Sequence, residues 1–534
     1  MNVLFLLFKD PKLFLKKLIN RFNHIRSILF ADKNTKKFIK HNKLIWKDWS
    51  SKNKDSVILA DFYGVSETNI ARSYFLNILA KKHNAAIKSF VSRKYSFNPA
   101  LHRVYKSFNV ESHIITDLNK EQKDRVKKIY EKTVVGLKTK EDVFNLKVNE
   151  VWVGVDIYES YLMDCSKPTL FLDDPNLFNK IEEGISLLVF WQDYFLKNKV
   201  EAVVVSHDCY LCYNIVCKVA YKTKVPVYFP NPIYLTYADR PYVVHNYYKN
   251  YRQMFRARLS NEEQRKGILL AKQQLDKRLN GEVGVDMPYS IKSAFHLEQN
   301  GKSVLKKTEN IKVLICSHCF YDNPHGYGGM LFLDFYEWLN YLGRISKRTN
   351  YDWYLKVHPD PRSGTLDIVK GILKDFPNIT LIPHDTSHHQ LIKEGIKFVL
   401  TVYGSVGSEC PALGLKVINA AYNPRVGYDF NWNPRSLEEY EHYLLNLDKL
   451  HKDINMEDLY EFYYMHYYYR YDDDLVFESY NRLLQDLTVK ERIGSRVYNY
   501  FLDQWNEAKH ESIIVNMKTF IDSGKNHHLS KGPE

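Results

Sequence analysis

From Ser56 onward the chain alternates short, continuously apolar runs with longer stretches of helical spacing. Residues 57–64, Val-Ile-Leu-Ala-Asp-Phe-Tyr-Gly, read as a buried strand that breaks into a loop, and residues 67–82 read as the helix after it. Residues 151–156 repeat the pattern of an apolar strand ending in an acid. Apolar positions at Ile185, Leu188, Trp191 and Phe195 mark a helix before the strand 202–206, and another helix leads to the strand 225–229. Strands that are apolar throughout, with helices between them, predict a parallel sheet covered on both faces.

The stretch 251–310 has a different texture. Ser260-Asn261-Glu262-Glu263 is a capping box opening a charged helix that closes near Asn280-Gly281. The alternation then resumes with strands at 311–316, 353–357, 379–382, 398–401 and 416–418 and a helix over 330–346. The pattern predicts an α/β protein of two Rossmann-like, doubly wound lobes, 51–250 and 311–455, joined by a helical connection at 251–310. A helical, aromatic segment follows at 456–522, and a disordered tail is expected at 523–534. In such sheets ligands sit beyond the carboxyl ends of the strands. The loops after Asp61, Asp156, Ser206, Cys316, Val357 and Thr401 are therefore where chemistry is expected.

Charge adds an N-terminal feature. Residues 1–50 hold 12 Lys/Arg and three Asp, a net +9 out of the chain's +14. Asp10-Pro11 suits the cap and first position of a helix, and Phe14, Leu18, Phe22, Ile25 and Leu29 then form one apolar face. Lys12, Lys16, Lys17, Arg21 and Arg26 fall elsewhere, the pattern of a basic amphipathic helix on an anionic bilayer surface. An ordinary helix packed on the next domain is the other reading. Nucleic acid is not expected as a partner, because the charge does not recur and no nucleic-acid motif accompanies it. No apolar run reaches the roughly 18–20 residues of a spanning helix, and the apolar start at residues 1–8 lacks a small-residue cleavage site. Seven cysteines in 534 residues do not make a disulfide scaffold. The expectation is a cytoplasmic protein, peripheral on the inner face of the membrane.

The candidate chemistry concentrates in the second lobe. Lys356-Val357-His358-Pro359 is followed about 45 residues later by Tyr403-Gly404-Ser405-Val406-Gly407-Ser408-Glu409, a Gly/Ser loop opening a helix. Such a loop aims backbone N–H groups at an anion such as phosphate. Small residues at 404, 405, 407 and 408 permit close approach, and Glu409 is placed to accept from ribose hydroxyls. Lys356 and Arg362 are nearby cations. His318, Asp322 and His325 occupy the loop after the first strand of this lobe, where donor phosphates would lie. Their spacing fits no common zinc pattern, and no metal is expected.

Two Rossmann-like lobes, a His-Pro motif at His358-Pro359 and a later Gly/Ser loop resemble the GT-B glycosyltransferases. More narrowly, they resemble bacterial capsule and surface-polysaccharide transferases of the Kdo-transferase-like or sialyltransferase-like kind. The segment from Ser317 to Leu339 also looks like a surface-carbohydrate biosynthesis family. The resemblance covers roughly residues 55–460. It implies that His358, Pro359, Ser405 and Ser408 contact the nucleotide of a nucleotide-sugar, with a CMP-linked sugar favoured. It further implies a glycan or lipid-linked glycan acceptor in the first lobe and no required cofactor. The other readings are a glycerol- or ribitol-phosphate transferase using a CDP donor, a sugar-nucleotide epimerase, and a non-catalytic envelope-assembly scaffold on a degenerate transferase fold.

Transfer with inversion needs a base for the acceptor hydroxyl. Asp61, at the end of the first strand, is the first choice, with Asp156 and His207 as alternatives. Ser206-His207-Asp208 contains the residue types of a hydrolytic triad, but three consecutive residues cannot converge as nucleophile, base and orienter. The C-x-x-C pairs Cys209/Cys212 and Cys316/Cys319 read as buried small residues. Asp472-x-Asp474 reads as an acidic helix cap, and the aromatic run from Phe462 as core packing or a helix crossing between lobes.

Overall fold

The computed structural model describes residues 29–49, 54–91, 97–283, 292–296, 302–358, 363–469 and 475–528. The expected basic helix over residues 10–29 lies almost wholly outside these, as do Pro359, Arg362, Asp472 and Asp474.

The molecule is built on two sheets, as the alternation predicts. The first lobe contributes β1 (Ser56–Asp61), β2 (Ala85–Val91), β3 (Val110–Ile115), a small antiparallel pair β4 (Lys147–Val148) and β5 (Val151–Trp152), then β6 (Val200–Val204), β7 (Val227–Pro230) and β8 (Leu235–Ala238). The second lobe contributes β9 (Lys312–Cys316), β10 (Asp352–Lys356), β11 (Ile379–Leu381), β12 (Ile396–Thr401) and β13 (Lys416–Asn419). A last short strand, β14 (His527–His528), follows the C-terminal helices. The strand orders are β14-β8-β7-β6-β1-β2-β3 and β11-β10-β9-β12-β13. Strands β3 to β7 of the first sheet, in that order, are parallel, and so is the whole second sheet. In each lobe the order runs outward from the first strand in one direction and then reverses. The switch points fall between β1 and β6 and between β9 and β12, and at such points ligands bind.

Both faces of each sheet are covered, which is why the strands are continuously apolar. In β1, Ile58 and Ala60 pack into one buried cluster, while Val57 and Leu59 pack into another on the opposite face. In β9 and β10 the same alternation sends Val313, Ile315, Trp353 and Leu355 one way and Leu314 and Tyr354 the other. The helices Tyr251–Arg258 and Asn261–Leu279 connect the lobes, and the Ser260 capping box forms as expected. Their apolar side meets the helix Met456–Tyr467, whose aromatic run is core: Phe462, Tyr463 and Met465 are fully buried beside Tyr251 and Leu275.

Three expectations are corrected. The apolar run 151–156 is not a sheet strand: β5 ends at Trp152, and Gly154 opens the buried helix Gly154–Cys165. A Cβ at residue 154 would lie 2.1 Å from the Val143 carbonyl oxygen, so this helix starts where only glycine fits. Buried helices and buried strands both read as apolar runs. The helix expected over 330–346 begins only at Phe335, where Asp334 caps it by accepting from the Glu337 N–H. The tail expected to be disordered from Ser523 is ordered through His528. β14 pairs antiparallel with β8, and the helices Arg496–Gln504 and Glu507–Ser523 bury Phe501, Met517 and Phe520 against the first lobe.

The chain thus returns to its first lobe. Arg492 pairs with the buried Glu67 at 3.7 Å, and Phe38 of the helix Lys33–Ile45 stacks on Tyr498 with centroids 4.1 Å apart. Among the described residues no helix is long and apolar enough to cross a membrane.

Candidate active site

Asp61 ends β1 and Ser206 follows β6, so the two meet across the first switch point. Asp61 Oδ2 accepts from the Ser206 backbone N–H at 3.1 Å and from the Ser206 hydroxyl. Its other oxygen forms an ion pair with Arg72, which is wholly buried on the helix Ser66–His83. Arg72 also donates to the Asp61 carbonyl and to Tyr105 Oη, both at 3.0 Å. Asp61 is therefore a neutralised anchor, with its charge spent on Arg72.

His207 Nδ1 lies 2.7 Å from Ser206 Oγ. The serine hydroxyl has one proton and gives it to Asp61, so its oxygen accepts from His207 and Nδ1 must carry the ring proton. That leaves the Nε2 lone pair free as a base. The ring sits between Tyr63 and Tyr213, with centroids at 5.2 and 5.3 Å. Burial pushes the His207 pKa below the usual imidazole value, against an opposing pull from Asp61. Asp156 is not part of this group. It is buried in an ion pair with Lys218 and accepts from Asn214 Nδ2 at 2.7 Å. Its neighbour Asp208 has one carboxylate oxygen buried without a hydrogen-bond partner, and burial pushes its pKa up to about 7.

Below the tyrosines a cavity of about 650 Å³ opens at the carboxyl ends of β1 and β2. Phe62, Tyr63, Tyr210 and Tyr213 line it, together with the ion-paired Asp164, Lys180 and Glu183.

The second switch point is closed in a similar way. His318 Nε2 accepts the Val402 N–H at 3.1 Å and lies 2.9 Å from Thr401 Oγ1, so its proton is on Nδ1. Its ring stacks on Phe335 at 4.7 Å. Burial, helped by His358 and Arg425, pushes its pKa down to about 3, which keeps it neutral. Gly404 is required by this packing, because a Cβ there would stand 2.8 Å from Thr401 Oγ1.

Around the Gly/Ser loop lie two buried cations that form no ion pair among the described residues; Glu409, which acts on both through space, is itself bonded to Arg278. Arg425 is 3% exposed; Nη2 donates to the Tyr403 carbonyl at 3.0 Å, and Nε has no partner. Its guanidinium rests on Gly407, where a Cβ would come within 2.6 Å. Lys356, at the end of β10 and also 3% exposed, has no hydrogen-bond partner at Nζ. Burial pushes its pKa down to about 8. An unpaired buried cation costs stability unless an anion joins it. A bound phosphate fits that need.

The other expected site residues are placed as follows. Ser405 precedes the helix Val406–Ala412, and its carbonyl accepts the Ser408 hydroxyl at 2.9 Å. Glu409 is buried and holds Arg278 of the connecting helix through Oε1 at 2.6–2.7 Å. His358 is exposed just beyond β10. Asp322 and His325 face the first lobe. Asp322 accepts from Tyr210 Oη at 3.0 Å, and His325 Nδ1 lies 3.2 Å from Glu159. Together with Asp334, which accepts from Tyr158 at 2.6 Å and Thr169 at 2.7 Å, they tie the lobes together. The sequence reading did not single out Arg72 or Arg425 and set Ser206 and Asp208 aside. Their role comes from partners distant in the chain.

The chain matches no protein-family model and no curated protein. Among solved structures it is similar to Thermosulfurimonas dismutans KpsC, a beta Kdo 2,4 transferase, at 13% identity over 51% of this chain and 85% of that one, with a TM-score of 0.31. It is also similar to the UDP-GlcNAc 2-epimerase of Neisseria meningitidis bound to UDP-GlcNAc, at 11% identity over 88% and 98%, TM-score 0.20. The wall teichoic acid polymerase TagF aligns at 10% identity over 93% and 98%, TM-score 0.19. The two-lobed architecture rests on the strand order and register described above.

Proposed function

We propose that this chain is a GT-B-type glycosyltransferase of bacterial surface-polysaccharide assembly. It transfers a sugar from a nucleotide-sugar, a CMP-linked one favoured, to a glycan or lipid-linked glycan. The observation that carries this reading is the pair of buried cations, Lys356 and Arg425, beside the Gly404–Ser408 loop at the second switch point. The donor phosphate lies against these cations, with His358 at the rim of the same site. The acceptor enters the first lobe.

His207 Nε2 takes the proton of the acceptor hydroxyl, and that oxygen attacks the anomeric carbon from the face opposite the nucleotide. The anomeric carbon–phosphate oxygen bond breaks and the nucleotide leaves with the electron pair. The configuration inverts. Lys356 and Arg425 are already desolvated, so they stabilise the charge growing on the leaving phosphate without reorganising water. The reading includes attachment to the inner face of the cytoplasmic membrane through residues 1–50. It is supported by the helix Lys33–Ile45, whose Lys33, Lys36, Lys37, Lys40 and Lys43 are all exposed.

The experiment is nucleotide release from CMP-sugar and CDP-glycerol donors by the full chain, with His207→Gln as control. Release from a CMP-sugar that needs an intact His207 is expected. Release from CDP-glycerol alone replaces the donor class, and release from neither contradicts the reading.

A further inference from the structure

The two switch points carry opposite electrostatics. The second-lobe site holds the unpaired cations Lys356 and Arg425. Among the described residues that line the first-lobe cavity, every positive charge is already committed. Lys180 bonds Asp164 at 2.6 Å and Glu183 at 2.5 Å, one ammonium shared between two carboxylates. Asp61, on the same lining, is neutralised by Arg72 behind it. Counted over the described lining residues, the cavity thus carries one negative charge more than positive. The rest of the wall mixes aliphatic side chains with Phe62, Phe90 and three tyrosines, Tyr63, Tyr210 and Tyr213, and aromatic faces with hydrogen-bonding edges suit the ring faces and hydroxyls of a sugar. The volume of about 650 Å³ lies within the range of small-molecule sites, about 300–1,000 Å³.

We infer that this cavity holds the acceptor's terminal sugar and selects one without a carboxylate or phosphate, an uncharged or amine-bearing pyranose. The inference rests on the transferase reading and deepens it. A carboxylate seated here would face Asp164 and Glu183, and among the described lining residues no cation is left to answer it. A neutral ring meets no such repulsion, and an ammonium group gains from the surplus negative charge. The position also suits the chemistry, because Tyr63 and Tyr213 line the cavity and also flank the His207 ring.

The test is a titration of the full chain with methyl glycosides of glucose, glucosamine and glucuronic acid, read by saturation-transfer NMR. The glucoside and glucosaminide are expected to bind, and the glucuronide at least about tenfold more weakly, the size of effect one uncompensated like charge produces at a partly exposed site. Glu183→Gln, a change at the exposed rim, is expected to shrink that gap to about threefold or less. Tyr213→Ala is expected to weaken all three, with Tyr213→Phe keeping binding. Glucuronide binding as tight as the glucoside, binding indifferent to Tyr213→Ala, or no sugar binding at all overturns the inference. Nucleotide binding is measured on the same sample. If nucleotide binds and the sugars do not, the cavity assignment falls alone; if the sugars bind and no nucleotide does, the transferase reading falls and the cavity's selectivity stands.

Discussion

Asp61 and His207 are joined through a single hydroxyl: Ser206 gives its proton to Asp61 and takes the His207 Nδ1–H at 2.7 Å. Arg72 pins the far end of this chain from the core. The arrangement fixes the tautomer of the imidazole and leaves Nε2 unprotonated. On the proposed reading Asp61, the first choice of base from its place in the sequence, positions His207 through Ser206, and His207 acts as the base.

Replacing Ser206 by Ala is therefore expected to lower kcat by about 10- to 100-fold, part of the roughly 10²–10⁴ that a positioned base supplies. Ser206→Thr is expected to restore most of it. His207→Gln is expected to abolish turnover with an unchanged Tm. Asp61→Asn is expected to act differently, destabilising the fold by about 3–5 kcal/mol because it strands a buried Arg72. Denaturant unfolding of the two variants separates the roles, and equal stability losses would contradict them.

The acid limb of the pH profile follows from His207. A base must be neutral, and burial lowers its pKa below the usual imidazole value. Activity is expected to persist below pH 6.5 before falling. A loss of kcat/KM centred above pH 7 would assign the limb to another group.

Lys356 sets the opposite limb. Its pKa in the fold is about 8, against about 10.4 for an unfolded chain. Between these values the unfolded chain binds the proton and the native one does not, so the stability of the nucleotide-free protein rises with pH across this window. Nucleotide phosphate requires the charged form, so its affinity is expected to fall as pH rises through about 8, by up to about tenfold per pH unit. Lys356→Arg, which stays charged, is expected to flatten that dependence. Calorimetric titrations at pH 7, 8 and 9 measure both.

Gly407→Ala drives a methyl into the Arg425 guanidinium at 2.6 Å. The expected cost is about 1–3 kcal/mol of stability, with a loss of nucleotide affinity as Arg425 is displaced. A variant that keeps both would show that Arg425 does not need its present position.

Exposed lysines on the helix Lys33–Ile45 lead to a membrane prediction. Cosedimentation is expected with phosphatidylcholine vesicles containing phosphatidylglycerol and not with phosphatidylcholine alone. Reversing Lys36, Lys40 and Lys43 to Glu is expected to weaken it at least about tenfold, given about 1 kcal/mol per basic residue near an anionic surface. Binding unaffected by the reversal would move the contact elsewhere.

Much of the fold was legible because strands buried on both faces have a plain signature. β1, β6, β9, β10, β12 and β13 carry buried apolar runs and were found in the sequence, while β2, just as buried, was not. β3 was not, because an edge strand reading Val-Glu-Ser-His-Ile-Ile is mostly exposed and carries no apolar run. The run 151–156 misled for the opposite reason: the helix it opens is as buried as a strand. At the site, residues at strand ends were legible as positions and not as roles. Ser206 works with an acid 145 residues earlier in the chain, a pairing that local spacing cannot reveal. Arg425 follows Asn423-Pro424 in a loop that reads as surface, and only the close approach to Gly407 shows it to be buried.

The most direct measurement is a thermal-shift panel of the full chain and Arg425→Met with millimolar CMP, CDP, UDP, GDP and ADP. A ligand that binds only the native state raises Tm with its concentration over Kd. The wild-type chain is expected to rise selectively with a cytidine nucleotide, CMP first. Arg425→Met is expected to unfold no lower than wild type without ligand, since it removes an unpaired buried charge, and to lose the nucleotide shift. A wild-type chain indifferent to every nucleotide, or an Arg425→Met variant that still responds fully, would contradict the assignment of the second switch point as the donor site.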